Sequence, residues 1–203
     1  MTEKLHRPLC IVLSSPSGGG KTTLCSRLLV EFPAMVYSIS CTTRPPRPGE
    51  KDGEHYYFLT EPEFKRQAEA GVFLEYAQVH DHWYGTPQQR IEQALRDGRD
   101  VLLDIDVQGA ERIRTLISGS ASDILKTAFV DVFIVPPSLQ ALKQRLEGRS
   151  QDTDETIRRR LANAEQEMTC RNRYRYVIIN DCLDEAYGRL RAIVKTEHGR
   201  VVE

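Results

Sequence analysis

No stretch of this 203-residue chain stays apolar for long. The basic residues Lys4, His6 and Arg7 lead only into Leu9–Leu13 before a glycine-rich turn. That run is far shorter than the ~18 apolar residues of a membrane span, and too short for the hydrophobic region of a secretion signal. An excess of one charge is also lacking: 28 Lys and Arg stand against 29 Asp and Glu, a net charge of -1. So small a net charge recruits neither nucleic acid nor an anionic membrane, and any basic chemistry must be local. The five cysteines, Cys10, Cys25, Cys41, Cys170 and Cys182, form no CxxC pair and no Cys/His set at zinc spacing. This argues against a disulfide framework and a zinc module, and points to a reducing, cytoplasmic setting. His80-Asp81-His82 has no third ligand and is read as a loop or strand edge. Repeats, low-complexity tracts and Ser/Gly linkers are missing, so a single domain over 1–203 is expected.

What the chain does have is alternation. Apolar, β-branched runs at Leu9–Leu13, Val36–Ile39, Val101–Ile105, Val130–Val135 and Tyr176–Ile179 read as buried strands, with helical segments between several of them. The pattern predicts an α/β fold in three layers, a central, mainly parallel sheet covered by helices. Thr60 with Glu63, and Thr86 with Pro87 and Gln89, have capping-box spacing and predict two helix starts; Asp97-Gly98 closes the second helix. The stretch from about 42 to 95, rich in Pro, Arg and Tyr, does not fit one crossover and reads as an inserted lobe in a core of 1–41 and 96–203. A polar stretch at about 147–156 reads as a small lid, and Ser118–Lys126 as a surface excursion. The tyrosines and arginines of 171–176 are read as edge packing and surface charge.

The sharpest local signal is Ser14-Ser15-Pro16-Ser17-Gly18-Gly19-Gly20-Lys21-Thr22-Thr23, after the first strand and before Leu24, Leu28 and Leu29 at helical spacing. Glycines let a loop turn its backbone N–H groups toward a phosphate, and the helix N-terminus adds positive potential. Lys21 can reach the β- and γ-phosphates and the Thr22 hydroxyl can bind Mg²⁺, so residues Ser15 to Thr23 are expected to hold a nucleoside triphosphate. The pattern asks for Gly at its first position, where this chain has Ser15.

Further along, Ser38 to Glu50 contains Thr42-Thr43-Arg44-Pro45-Pro46-Arg47-Pro48-Gly49-Glu50 and is followed by Gly53, His55, Tyr56 and Phe58. Then come Phe73-Leu74-Glu75-Tyr76-Ala77, Tyr84-Gly85-Thr86-Pro87, Leu103-Asp104-Ile105-Asp106-Val107-Gln108-Gly109, and Pro136-Pro137-Ser138 with Arg145 to Arg149. In this order, over about residues 9 to 195, the chain resembles the guanylate kinases. The resemblance implies a P-loop kinase fold with a mixed α/β lobe for the nucleoside monophosphate. It also implies transfer of the γ-phosphate of ATP to GMP, and to dGMP, with Mg²⁺ as cofactor.

The resemblance also implies residue roles. Residues matching Arg44, Arg47, Tyr56 and Tyr84 hold the GMP phosphate, which suits two guanidinium forks and two phenols around a dianion. Glu75 and Asp106 accept from guanine N1–H and N2–H₂, while Ser40 and Thr86 face O6. Adenine, with an acceptor at N1, would leave a carboxylate unpaired. Thr86 has a competing role as a helix cap. Asp104, at a strand end, lies near the Mg²⁺ hydration shell with Thr22. Lys21, Arg44, Arg145, Arg149 and Arg160 neutralise the transferring phosphoryl group. Asn180 corresponds to a position beside adenine, although Asn180-Asp181 equally fits a turn and helix cap. The expected partners are ATP and GMP, with no nucleic acid and no membrane, for a monomer or homodimer. Two rivals remain: a guanylate-kinase-like scaffold binding a phosphopeptide, and a P-loop kinase with another phosphorylated acceptor.

Overall fold

Side chains alternate along the apolar strands, so each strand of a central sheet feeds two opposite faces, and both faces are covered. The computed structural model describes residues 7–79, 81–119, 121–148 and 153–200. In chain order the elements are β1 (Cys10–Ser14), α1 (Lys21–Glu31), β2 (Val36–Tyr37), β3 (Cys41–Thr42), β4 (Tyr57–Phe58), α2 (Glu61–Glu69), β5 (Phe73–Val79), β6 (His82–Pro87) and α3 (Gln88–Arg96). There follow β7 (Val101–Asp104), α4 (Val107–Ser118), α5 (Asp123–Ala128), β8 (Phe129–Val135), α6 (Leu139–Glu147), α7 (Asp154–Thr169), a 3-10 turn at Cys170–Arg173, β9 (Tyr176–Ile179) and α8 (Leu183–His198).

The five apolar runs form one parallel sheet in the order β2-β7-β1-β8-β9. Cys10 and Val12 of β1, with Val101, Leu103, Phe133 and Val135, pack against Ile91, Leu95, Ala110, Ile113 and Leu125 of α3 to α5. Ile11 and Leu13, with Leu102, Val132 and Ile134, pack against Leu24, Leu28, Ala186, Leu190 and Val194 of α1 and α8. Each fully buried Leu, Ile or Val contributes about 1.5–3 kcal/mol, so these two layers dominate the stability of the core. The second run is a strand only over Val36–Tyr37. Ser38 N still bonds Leu102 O at 2.9 Å, after which the chain leaves for a second sheet.

That second sheet has the order β4-β3-β6-β5 and is mixed, with β3 parallel to β4 and antiparallel to β6. Phe64 of α2 stacks on Phe73 with centroids 4.6 Å apart and lies 5.9 Å from Trp83. Gly85 permits this packing, since a Cβ there would be only 2.9 Å from Phe64 and 3.0 Å from Phe73. Thr60 caps α2 by accepting from Glu63 N.

Two expectations are corrected. Thr86 does not cap α3: it lies in β6, the cap position falls on Pro87, and the Thr86 hydroxyl instead donates to Glu75 Oε1 at 2.6 Å. Ser118–Lys126 is not a bare surface excursion, because Ala121 and Leu125 are buried in the core and α5 packs on α3 and α4. His80 lies outside the described residues; Asp81 forms the β5–β6 turn with φ 66. Among the described residues no group of three His, Cys, Asp or Glu is placed to hold a metal ion, and no helix is long and apolar enough to cross a membrane. Tyr174 stacks on Phe133 at 4.8 Å with the Arg114 guanidinium 4.3 Å over its ring.

Candidate active site

β1 is the middle strand, flanked by β7 and β8, and the loop after it opens at the carboxyl end of the sheet, where open α/β folds bind ligands. Gly18 and Gly20 turn this loop at φ 87 and φ 91. Ser15 needs no such freedom: Asp81 is the one non-glycine residue with positive φ among the described residues, so serine fits the first loop position without backbone strain. Helix α1 starts at Lys21 behind Gly20, which offers no capping side chain. Its first N–H groups therefore lack a side-chain cap and suit an anion. Residues Ser15 to Thr23 line one cleft together with Asp106 and Glu167.

The Lys21 ammonium lies 2.5 Å from Asp104 Oδ1 and donates to Ile105 O at 2.8 Å. Asp104 ends β7 beside Leu13 of β1, so strand register sets the pair. The Cys25 thiol approaches Asp104 Oδ2 at 3.8 Å, and burial, reinforced by Asp104, pushes its pKa up.

A second cleft is lined by Ser40, Tyr56, Glu75, Ala77, Val79, Tyr84, Asp104, Ile105 and Asp106. Five of the expected acceptor-site residues thus meet there: Ser40, Tyr56, Glu75, Tyr84 and Asp106. Glu75 is only 9% exposed; burial raises its carboxyl above the usual range, while the Thr86 hydroxyl pulls it back. Asp106 accepts from Gly109 N at 2.8 Å as the N-cap of α4. It borders both clefts, so the two sites are contiguous.

Arg44 is clamped at the rim. Its guanidinium donates to Glu50 Oε1 at 2.8 Å and to Pro45 O at 2.7 Å, and lies 5.4 Å from the Tyr56 ring centroid. Tyr56 and Tyr84 have ring centroids 6.0 Å apart.

Other expected residues stand apart. Thr86 is buried behind Glu75 and reaches the cleft only through that carboxylate. Arg47 is exposed, and its backbone N–H donates to Glu50 Oε2 at 2.7 Å. The Asn180 amide is buried beneath the glycine loop and donates to Gly19 O at 2.9 Å. Arg145 donates to Asn180 O at 2.7 Å, which ties α6 to the same point. Arg160 lies on α7, while Arg149 and the adjoining 150–152 of the expected lid fall outside the described residues.

Two carboxylates had no role in the sequence reading. Glu50 entered the sequence reading only as the last residue of the Ser38–Glu50 segment, though its place three residues after Arg47 suits a turn-closing acceptor. Glu167 lies on α7 and borders the glycine loop; burial raises its pKa, and one of its oxygens is buried without a hydrogen-bond partner. Nothing local in the α7 sequence distinguishes it from its solvated neighbours.

A glycine-walled cradle at the end of a central parallel strand, facing an acid-lined cleft, makes this an α/β protein of the P-loop kinase class. The guanylate kinase family profile matches residues 7–197. The guanylate kinase of Rhodopseudomonas palustris strain BisB5 is 48% identical over 192 residues, 95% of this chain and 84% of that protein. That of Symbiobacterium thermophilum is 44% identical over 194 residues, 96% of this chain and 88% of that protein. The crystal structure of guanylate kinase from Anaplasma phagocytophilum superimposes with a TM-score of 0.75 at 31% identity, covering 98% of this chain and 91% of that one. The chain belongs to the guanylate kinase family.

Proposed function

We propose that this protein transfers the γ-phosphate of ATP to GMP and dGMP. The observation that carries the reading is Asp106, which borders both the glycine-loop cleft and the cleft of Glu75, Tyr56 and Tyr84. Two clefts with a common wall can bring a donor and an acceptor phosphate together. In this reading the segment of about 42–95 is the acceptor lobe and that of about 147–156 the lid.

ATP lies on the Ser15–Thr23 loop, whose N–H groups and Lys21 hold the phosphates. GMP lies in the second cleft, its phosphate met by Arg44, Arg47, Tyr56 and Tyr84. Glu75 and Asp106 accept from guanine N1–H and N2–H₂, with Ser40 near O6. Thr86 acts through Glu75, and Asn180 serves the donor site by supporting the loop from below. A phosphate dianion is already nucleophilic, so positioning and charge neutralisation carry the rate. Arg145, Arg149 and Arg160 supply positive charge from the lid side.

The donor set suits Mg²⁺. The Thr22 hydroxyl is in the exposed first turn of α1, and Asp104 keeps a second carboxylate oxygen beyond the one that meets Lys21. One or two protein oxygens are enough for a cation that keeps several waters and takes its other ligands from phosphates. When bound, Mg²⁺ neutralises charge on the β- and γ-phosphates.

The test is ADP release from ATP with GMP, dGMP, AMP, CMP and UMP offered separately. Strong preference for GMP and dGMP is expected; preference for AMP or CMP would overturn the assignment of Glu75 and Asp106.

A further inference from the structure

Gly109 stands in the first turn of α4 with nothing unusual in its own backbone: its φ is not positive, and it ends no helix. Glycine in such a place weakens a helix relative to alanine, so its presence calls for another explanation. The explanation is room. A Cβ on Gly109 would sit 3.1 Å from Glu75 Oε2, 3.2 Å from Glu75 Cδ and 3.3 Å from Asp106 Oδ1. The same residue's N–H holds Asp106 Oδ1 at 2.8 Å. Glu75 is fixed on its other side by the Thr86 hydroxyl at 2.6 Å. One residue therefore anchors one carboxylate and leaves space for the other.

We infer that Gly109 is the positioning residue for guanine selection: its missing side chain lets Glu75 stand beside Asp106 at the spacing needed for adjacent donors on one purine edge. The inference rests on the proposed reading of the second cleft. A methyl group at 109 displaces Glu75 by a few tenths of an ångström and leaves the glycine loop untouched.

The test compares Gly109→Ala, Glu75→Ala and the double variant. Kinetics are measured with GMP and with inosine monophosphate, which lacks the 2-amino group, and melting temperatures are recorded. Gly109→Ala is expected to raise KM for GMP about tenfold and to shrink the preference for GMP over inosine monophosphate, with KM for ATP changed less than twofold. Glu75→Ala makes space for the new methyl, so adding Gly109→Ala in that background should cost less than twofold further. A merely structural glycine would leave the GMP-to-inosine ratio unmoved.

If Glu75→Ala leaves GMP kinetics unchanged, the reading of the second cleft fails. If Glu75→Ala impairs GMP use but Gly109→Ala does not, or costs as much again in the Glu75→Ala background, the role of Gly109 is overturned. Should Gly109→Ala lower the melting temperature, the loss should be smaller when it is added to Glu75→Ala, because Glu75 makes the two closest contacts; an equal loss in that background also overturns the inference.

Discussion

Lys21 is held by Asp104 across a 2.5 Å ion pair, so the cation expected to meet the donor phosphates is already oriented by the neighbouring strand end. The ammonium also donates to Ile105 O, leaving its third proton to face an incoming anion. Lys21→Met should lower kcat on the order of 10²–10³-fold, the scale of losing one preorganised electrostatic contact. Asp104→Asn should act differently, by shifting the Mg²⁺ concentration for half-maximal rate upward while melting temperature changes little. A Mg²⁺ titration at saturating ATP separates the two roles; an unchanged Mg²⁺ dependence in Asp104→Asn would contradict the assignment.

Glu75 is a carboxyl in a buried place, and its raised pKa fixes the sign of a stability effect. A carboxyl whose folded pKa exceeds its unfolded one contributes most when protonated, and that contribution is lost as pH rises through the folded value. Glu75→Gln keeps an oxygen for the Thr86 hydroxyl and removes the buried charge. Its melting temperature at neutral pH should therefore equal or exceed that of the parent. GMP use should fall by about 10–100-fold in kcat/KM, as expected when a charged acceptor is lost. Thermal melts at pH 4 and pH 8 check the sign: the gain should be larger at pH 8.

Glu50 shows the opposite behaviour. Arg44, and then the Arg47 backbone N–H, hold its carboxyl down to about 2 from an ordinary value of 4.5. Its stabilising contribution is present above 4.5 and is lost as pH falls through about 2. Glu50→Gln should flatten this part of the acid limb of an unfolding curve followed by circular dichroism. It should also raise KM for GMP with little change in kcat, since Arg44 loses the partner that holds it over Tyr56. A kcat effect without a KM effect would place Glu50 in a different role.

The core and the glycine loop were legible because their signals are local. Apolar runs such as Val101–Ile105 announce a doubly covered strand, and the loop needs only contiguous residues. The second sheet was legible as an interruption but not as four strands, since β3 and β4 have two residues each and form only through long-range pairing. Thr86 misled for a related reason. The spacing Thr86-Pro87-Gln89 satisfies a capping rule, yet β6 continues through Thr86 and turns its hydroxyl toward Glu75, a partner eleven residues away. Glu167 was invisible because its position depends on α7 lying against the loop. Ser15 looked like a defect in the pattern, whereas positive φ is confined to Gly18 and Gly20 within this loop.

Asn180 and Gly20 give the sharpest structural prediction at the donor site. A side-chain carbon on Gly20 would run into the Asn180 amide, and Gly20 also needs φ 91. Gly20→Ala therefore meets two penalties, one steric and one conformational. Asn180→Ala meets neither, but it strips the donor from Gly19 O, a loss of about 1–3 kcal/mol for a buried acceptor. Combining them removes the steric clash and keeps the conformational strain. Melting temperatures should therefore fall in both single variants, and the double variant should lose less than the sum of the two. ATP binding, read by titration calorimetry without GMP, should weaken in all three, because the loop's N–H groups no longer converge. Additive losses in the double variant would mean that Asn180 does not support the loop through this contact.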